Sequence, residues 1–381
     1  MVAVALAAVS AWVDESPVAA RAGGVVSGRE SWAWLFLALA IAAFALYLVG
    51  LRVVARGATR RAVVVLALAV QIAPLAGPLL LSSDAWTYWG YARLDNPYSE
   101  VPADEPLDPS FRWVGEKWRD TTSVYGPAFT LAAEPVALSA SPDVASWAFR
   151  ALAAAAMVAC VLVAARAGPF ATAFVGWNPL LALHAAGGAH NDAWLGALIV
   201  AALALGAAGR RNLAGVALAI GTFVKWVPLL LLPLGTLEAR ARGERLGHAA
   251  FALTAVAVVA AATLAYGLAW LGAFGPLAEN VTETTSASLA NRLTQLAVPE
   301  PVALGISASL FAVAYLWLAR EAWRGRARFA LAAGLLVACS PYVTPWYLAW
   351  VVPLAAVEND RVARMVALGL SAYLLPQTIP L

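Results

Sequence analysis

Five short constellations in this chain carry side chains that can do chemistry. The first is Ser82-Ser83-Asp84-Ala85-Trp86-Thr87-Tyr88-Trp89, which follows a long apolar run. A carboxylate at a membrane exit is partly desolvated, so Asp84 is suited to accept a proton. A plain loop carboxylate with aromatics anchored at the interface is the alternative. The second is Asn96-Pro97-Tyr98, followed by Trp113, Trp118 and Tyr125-Gly126-Pro127. Flat aromatic faces suit the apolar faces of sugar rings, and the same residues suit a helix lying on the bilayer. The third is Trp177-Asn178-Pro179-Leu180 with Gly187-Gly188-Ala189-His190-Asn191-Asp192. Three consecutive polar side chains between apolar runs are costly in lipid, which makes His190, Asn191 and Asp192 candidates for contacts to sugar hydroxyls or phosphate. His190 and Asp192 are also metal-ligand types; two are too few to define a site, so a divalent cation stays open.

The fourth constellation is Thr222-Phe223-Val224-Lys225-Trp226-Val227-Pro228. A lysine in hydrocarbon either snorkels or neutralises an anion, and its compact charge suits a phosphate. The fifth is Ser340-Pro341-Tyr342-Val343-Thr344-Pro345-Trp346-Tyr347. Two prolines break a helix there and leave Trp346 and Tyr347 as a cavity wall or as belt aromatics. In a later polar stretch Arg292 is placed to close over an anionic ligand, and Asn280-Val281-Thr282 matches a glycosylation sequon.

The elements that must position these groups follow from composition. Of 381 residues, 62% are hydrophobic and 12% charged. A soluble domain has about 25% charged residues, so this chain cannot cover a water-facing surface of its size. Disorder needs the opposite composition. The two cysteines, Cys160 and Cys339, sit in apolar runs and make no disulfide framework. The arginines cluster between apolar runs, a mark of membrane topology and not of a nucleic-acid partner. The expectation is an all-α, polytopic transmembrane bundle, one integral membrane domain over 1–381. Long apolar runs cover 32–51, 62–81, 144–165, 213–234, 249–270, 302–319 and 329–343. With shorter, Gly/Pro-broken runs they make about 10–12 membrane segments. Residues 1–30 read as an interfacial helix or a clipped span.

Arginine-rich short loops stay cytoplasmic. Such clusters are Arg52, Arg56, Arg60 and Arg61; Arg240, Arg242 and Arg245; and Arg320, Arg324, Arg326 and Arg328. With these inside, the loops 82–125 and 271–300 are extracytoplasmic, the first bearing interfacial helices. Arg210 and Arg211 also look cytoplasmic, yet one apolar run separates them from Arg240–Arg245. A re-entrant hairpin over 213–237, with Lys225 and Pro228 at its middle, reconciles the two clusters.

Taken in order, the early Asp84, Asn-Pro-Tyr, Tyr-Gly-Pro, Asn-Pro-Leu, Gly-Gly-x-His-Asn-Asp, Lys-Trp-x-Pro and Pro-Trp-Tyr resemble the GT-C superfamily of integral membrane glycosyltransferases. Within it the chain is most similar to polyprenol-phosphomannose-dependent α-mannosyltransferases of bacterial cell envelopes, from about Asp84 to Trp350. The resemblance implies a polyprenyl-phosphate sugar donor, a glycan or glycolipid acceptor, and an active site on the outer face of the plasma membrane. It puts Asp84 on the family's catalytic aspartate. Lys225, Arg292, His190, Asn191, Asp192, Tyr88, Tyr125, Trp346 and Tyr347 are then the expected substrate contacts. The chain departs from some branches in being shorter and in having one carboxylate where they have a neighbouring pair. A transporter or flippase of a lipid-linked sugar is the competing class: it would share the spans and the aromatic pocket but need no base at Asp84.

Overall fold

The structure, a computed structural model, describes residues 1–139, 141–280 and 283–381. Val281 and Thr282 of the sequon, and with them part of the expected loop 271–300, lie outside the described residues. The fold is all-helical, with no strand among the described residues. In chain order the helices are α1 (Val2–Ser10), α2 (Glu30–Arg56), α3 (Arg60–Ile72), α4 (Asp84–Ala92), α5 (Pro127–Ala137) and α6 (Pro142–Ala167). Then come α7 (Pro169–Gly176), α8 (Pro179–Ala182), α9 (Asp192–Ala207), α10 (Arg211–Val224), α11 (Pro228–Ala241) and α12 (His248–Tyr266). The last six are α13 (Phe274–Asn280), α14 (Leu289–Thr294), α15 (Glu300–Trp323), α16 (Phe329–Cys339), α17 (Leu348–Val357) and α18 (Arg361–Leu374).

Four helices, α2, α6, α12 and α15, are each long and apolar enough to cross a bilayer. The outer two, α12 and α15, bury little and point Leu253, Val256, Val313 and Leu316 outward, as lipid-facing helices do. A fifth crossing is broken. Pro179–Gly187 and Asp192–Ala207 meet at 120°, and the Gly187–Asp192 segment lies in the break. The other apolar runs fold as shorter helices where proline or glycine interrupts them. The run 62–81 gives α3 and one 3₁₀ turn, Ala73–Ala76, because Pro74 removes a donor and Pro78 follows. The run 329–343 stops at Cys339, ahead of Ser340-Pro341.

The run after Arg210 is a hairpin. α10 and α11 are joined at Lys225-Trp226-Val227, and their far ends return to each other, with Arg211 Nη2 4.0 Å from Glu244 Oε2. Arg242 Nε donates to Gly325 O at 2.9 Å, and Arg328 forks onto Asp360 at 2.5 and 2.9 Å. The arginine clusters at 210–211, 240–245, 320–328 and 361–364 are thereby gathered at one end of the bundle. The segment 93–126 differs from the surface helix expected there. It forms three single-turn 3₁₀ helices, Pro102–Asp104, Phe111–Trp113 and Glu116–Trp118. Pro97, Pro102, Pro106 and Pro109 break any longer helix, and Trp113 folds back onto Trp86, ring centroids 4.8 Å apart.

Candidate active site

Two strained turns bring the polar residues together. Leu81 (φ 60°) precedes the Asp84 segment and Ala189 (φ 63°) precedes His190; both sit in the left-handed region that non-glycine residues avoid. Such strain costs about 1–3 kcal/mol per residue and persists only where neighbours enforce it. Here the two segments enforce each other. Leu80 N–H donates to Gly187 O at 3.0 Å, and Leu81 N–H to Val18 O at 2.8 Å. A side chain at Gly188 would meet His184 O and the His190 ring at 2.9 Å, so only glycine lets the turn close.

Asp84 opens α4, and His190 lies against it, Nδ1 to Oδ2 3.1 Å. The approach is off the axis of a well-formed hydrogen bond, so both imidazole nitrogens lack an aligned partner among the described residues. The Tyr88 hydroxyl donates to the same carboxylate at 3.5 Å and accepts from Asn191 N–H at 3.5 Å. Asp84 keeps 18% of its side chain exposed, whereas His190 keeps 1%. The carboxylate is therefore the member of the pair that another molecule can reach. Burial pushes the Asp84 carboxyl up. His190, Ser82 and the charge of Lys225 outweigh that and leave it below the usual carboxylate range. Burial, with the charges of Asp84 and Asp192, holds the Tyr88 phenol well above its ordinary value, so it stays a donor.

Asp192 starts α9, and Lys225 ends α10. Their side chains meet, Nζ to Oδ1 2.9 Å and to Oδ2 2.8 Å, and Trp350 Nε1 donates to Oδ1 at 2.8 Å. Of the two roles the sequence leaves open for this lysine, snorkelling or neutralising an anion, the structure shows it against a protein carboxylate. It is 24% exposed, lies over the Tyr347 ring at 5.0 Å, and answers a buried carboxylate. Trp346 stacks on His190 at 3.7 Å with the rings 10° apart. Tyr125 closes the other side, 5.0 Å from the Tyr88 ring. The adjacent Gly126 N–H donates to Val224 O, and a Cβ there would lie 2.1 Å from Phe223 O. Tyr-Gly-Pro is therefore the clamp that seats this loop on the end of α10, next to Lys225.

Asn191 and Thr344 point buried side-chain polar atoms at no hydrogen-bond partner among the described residues. Buried amides are nearly always satisfied, so these atoms are candidates to meet a ligand. Above the site Lys117 joins the two polar loops, 2.5 Å from Glu283 and 4.9 Å over the Tyr342 ring.

Arg292 is not brought to this cluster. It lies on α14, bonded to the Tyr373 hydroxyl at 2.9 Å and to Gln295 at 3.1 Å. Asn178 caps α8 and donates to Ser371. Among the described residues no three His, Cys, Asp or Glu side chains stand where they could hold a metal ion, and both Asp192 oxygens face Lys225. Two positioning residues were missed from sequence. Trp350 sits within an apolar run with nothing to mark it. Arg150 is a lone charge inside the run 144–165, and that was a usable signal. It is 1% exposed and donates to Ala186 O at 2.9 Å and Pro74 O at 2.6 Å, tying the broken helix to the base of the Asp84 segment.

Residues 1–240 match the family described as alpha-(1->6)-mannopyranosyltransferase, N-terminal domain, and residues 286–380 match the MptB C-terminal domain. The chain is 29% identical to alpha-(1->6)-mannopyranosyltransferase A of Mycobacterium tuberculosis, over 78% of this chain and 66% of that relative. It thus spans a little under two thirds of the relative's length. No solved structure matches the chain. The first match alone covers more than half of the protein, and the chain belongs to the alpha-(1->6)-mannopyranosyltransferase family.

Proposed function

We propose that this member of the family moves a mannosyl residue from a polyprenyl-phosphate carrier to a hydroxyl of a cell-envelope glycan or glycolipid. The bond formed is the α-(1→6) linkage in the relative's name. The reaction takes place at the Asp84 cleft, on the extracytoplasmic side of the plasma membrane. The observation that carries this is Asp84 itself: a partly exposed carboxylate held between His190 and Tyr88, in a cleft lined by aromatics. The gathering of the arginine clusters at the opposite end supports the side, because arginine-rich loops stay cytoplasmic.

In the transfer, the acceptor hydroxyl attacks the anomeric carbon as the bond to the carrier phosphate breaks. Asp84 takes the hydroxyl proton. Attack from the face opposite the phosphate inverts the centre, so a β-linked donor gives an α-linked product. The negative charge leaving with the phosphate meets Lys225, whose attraction is reduced by Asp192 but acts at short range in a water-poor cleft. Asn191 and Thr344 supply unpaired polar groups for sugar hydroxyls, and Trp346, Tyr347 and Tyr125 supply flat faces.

The test is Asp84→Asn, in membranes supplied with radiolabelled polyprenyl-phosphate mannose. Transfer is expected to fall by about 10²–10⁴-fold, the usual worth of a positioned base. Because the carboxyl sits below its ordinary value, wild-type activity should persist as pH falls towards about 4 and fail only below that. Near-normal transfer by the variant would remove Asp84 from the role of base. Label that crosses the membrane with no new glycosidic bond would make the protein a flippase.

A further inference from the structure

A cavity of about 520 Å³ lies at the arginine-rich end of the bundle, between α9, α10, α11 and α12 and floored by Phe329 and Leu354. It is remote from Asp84 and plays no part in the chemistry above. Its walls are apolar, including Leu203, Leu218, Leu231 and Phe251. Its mouth is charged, lined by Arg211, Arg242 and Arg245 with Glu238 and Glu244. Water in such a space would wet leucine and phenylalanine, and leaving it dry would forfeit the dispersion contacts of its walls. A hydrocarbon chain satisfies both. We propose that this cavity seats the acyl chain of an anionic glycerophospholipid, with its phosphodiester on the arginines at the mouth.

Charge balance selects that occupant. Arg242 is held by Glu238 at 2.9 Å, and Arg211 only loosely by Glu244 at 4.0 Å. Arg245 pairs with no carboxylate among the described residues. Three arginines against two glutamates leave one positive charge at the mouth. A phosphodiester carries one negative charge and matches it. A phosphate monoester, the headgroup of a bare polyprenyl phosphate, carries about −1.5 to −2 at neutral pH and does not. Glu244 remains free to accept from headgroup hydroxyls, as a glycerol headgroup provides. Position agrees, since the mouth lies at the arginine-rich end of the bundle, where short basic loops meet anionic headgroups.

The geometry gives the site a consequence. α10 and α11 approach each other near their tip, where Gly221 faces Pro228, and both line the cavity between that tip and the mouth. A chain seated between the arms fixes their spread, and the tip they share carries Lys225.

The experiment is thermal unfolding and native mass spectrometry of the detergent-purified full chain. The additions are phosphatidylglycerol, phosphatidylcholine, a polyprenyl phosphate, or inorganic phosphate. One phosphatidylglycerol per chain should bind and raise the unfolding midpoint above that in phosphatidylcholine. The doubly substituted Arg211→Gln/Arg245→Gln variant should weaken that binding by at least about tenfold, because each removes a charge-assisted hydrogen bond. Both residues are exposed, and the variant should unfold at the wild-type midpoint without added lipid. Ala214→Phe, which fills the cavity and leaves the mouth intact, should lose the lipid as well. Equal stabilisation by phosphatidylcholine would overturn the proposal. So would full reproduction of the shift by inorganic phosphate, or preference for the polyprenyl phosphate.

Discussion

At the scale of the residue, Asp192 and Lys225 form the buried ion pair of the site. Asp192 is 1% exposed, and its carboxylate oxygens are met by Lys225 and Trp350. Removing one partner of a buried pair costs about 3–5 kcal/mol, because the other is left uncompensated. Lys225→Met is therefore expected to lower both transfer and the unfolding midpoint, and loss of activity alone would not separate the two causes. The Asp192→Asn/Lys225→Met double variant does separate them. It should regain most of the lost stability, measured by thermal unfolding, while transfer stays low if the ammonium meets the leaving phosphate. Recovery of transfer together with stability would make the lysine purely structural. The sequence made Lys225 stand out because ionisable groups are rare in apolar runs. It did not show the partner, because Asp192 and Lys225 are 33 residues apart and meet only when α9 and α10 pack. Arg292 is the converse case: a cation in a polar stretch has no sequence mark that says which neighbour it will find, and here it meets Tyr373 and Gln295.

At the scale of the element, the site depends on breaks and not on long helices. The apolar runs were legible because hydrocarbon must be matched by about 20 apolar residues, and α2, α6, α12 and α15 follow those runs closely. The breaks were legible at Pro228, Pro341 and Pro345, because proline supplies no N–H to continue the helix before it, although α5, α11 and α17 keep Pro135, Pro233 and Pro353 inside them. The strained turns at Leu81 and Ala189 were not, because neither residue type favours a left-handed conformation; tertiary hydrogen bonds impose it. The tryptophans of the outer loop suit a surface helix, while its four prolines set the real outcome. Gly126 tests how much the positioning of these breaks matters. Its Cβ-less Cα packs on the carbonyl of Phe223, so Gly126→Ala requires backbone to move, an overpacking cost of about 1–3 kcal/mol. That movement displaces the end of α10 and with it Lys225. Transfer should fall with only a modest loss of thermal stability, measured on the same purified sample. Unchanged transfer would mean that the clamp is not what holds Lys225 in register.

At the scale of the whole molecule, the Asp84 cleft sits at one face of a bundle whose central helices are too short to cross a bilayer. α9 has 16 residues and α10 and α11 have 14 each, which at about 1.5 Å per residue gives ~24 and ~21 Å. The hydrocarbon core is about 30 Å thick. Starting from the arginine-rich surface, all three helices end short of the far side, and their ends carry Asp192 and Lys225. On the proposed function, the cleft is then recessed within the far leaflet, at the depth a lipid-borne sugar phosphate reaches without leaving the bilayer. α12 and α15, long enough to span, stand outside this core and meet the lipid. This arrangement requires the hairpin: a straight crossing by 213–237 would put Arg210 and Arg242 on opposite sides and leave Lys225 in mid-membrane with no carboxylate. In a chain with Cys160 and Cys339 replaced by serine, Arg210→Cys and Arg245→Cys should both react with a membrane-impermeant thiol reagent from the cytoplasmic side only. An Arg211→Cys/Glu244→Cys variant should cross-link with a short bifunctional reagent, since those side chains lie 4.0 Å apart. Labelling of the two single-cysteine variants from opposite sides would dismantle the hairpin, and with it the recessed cleft.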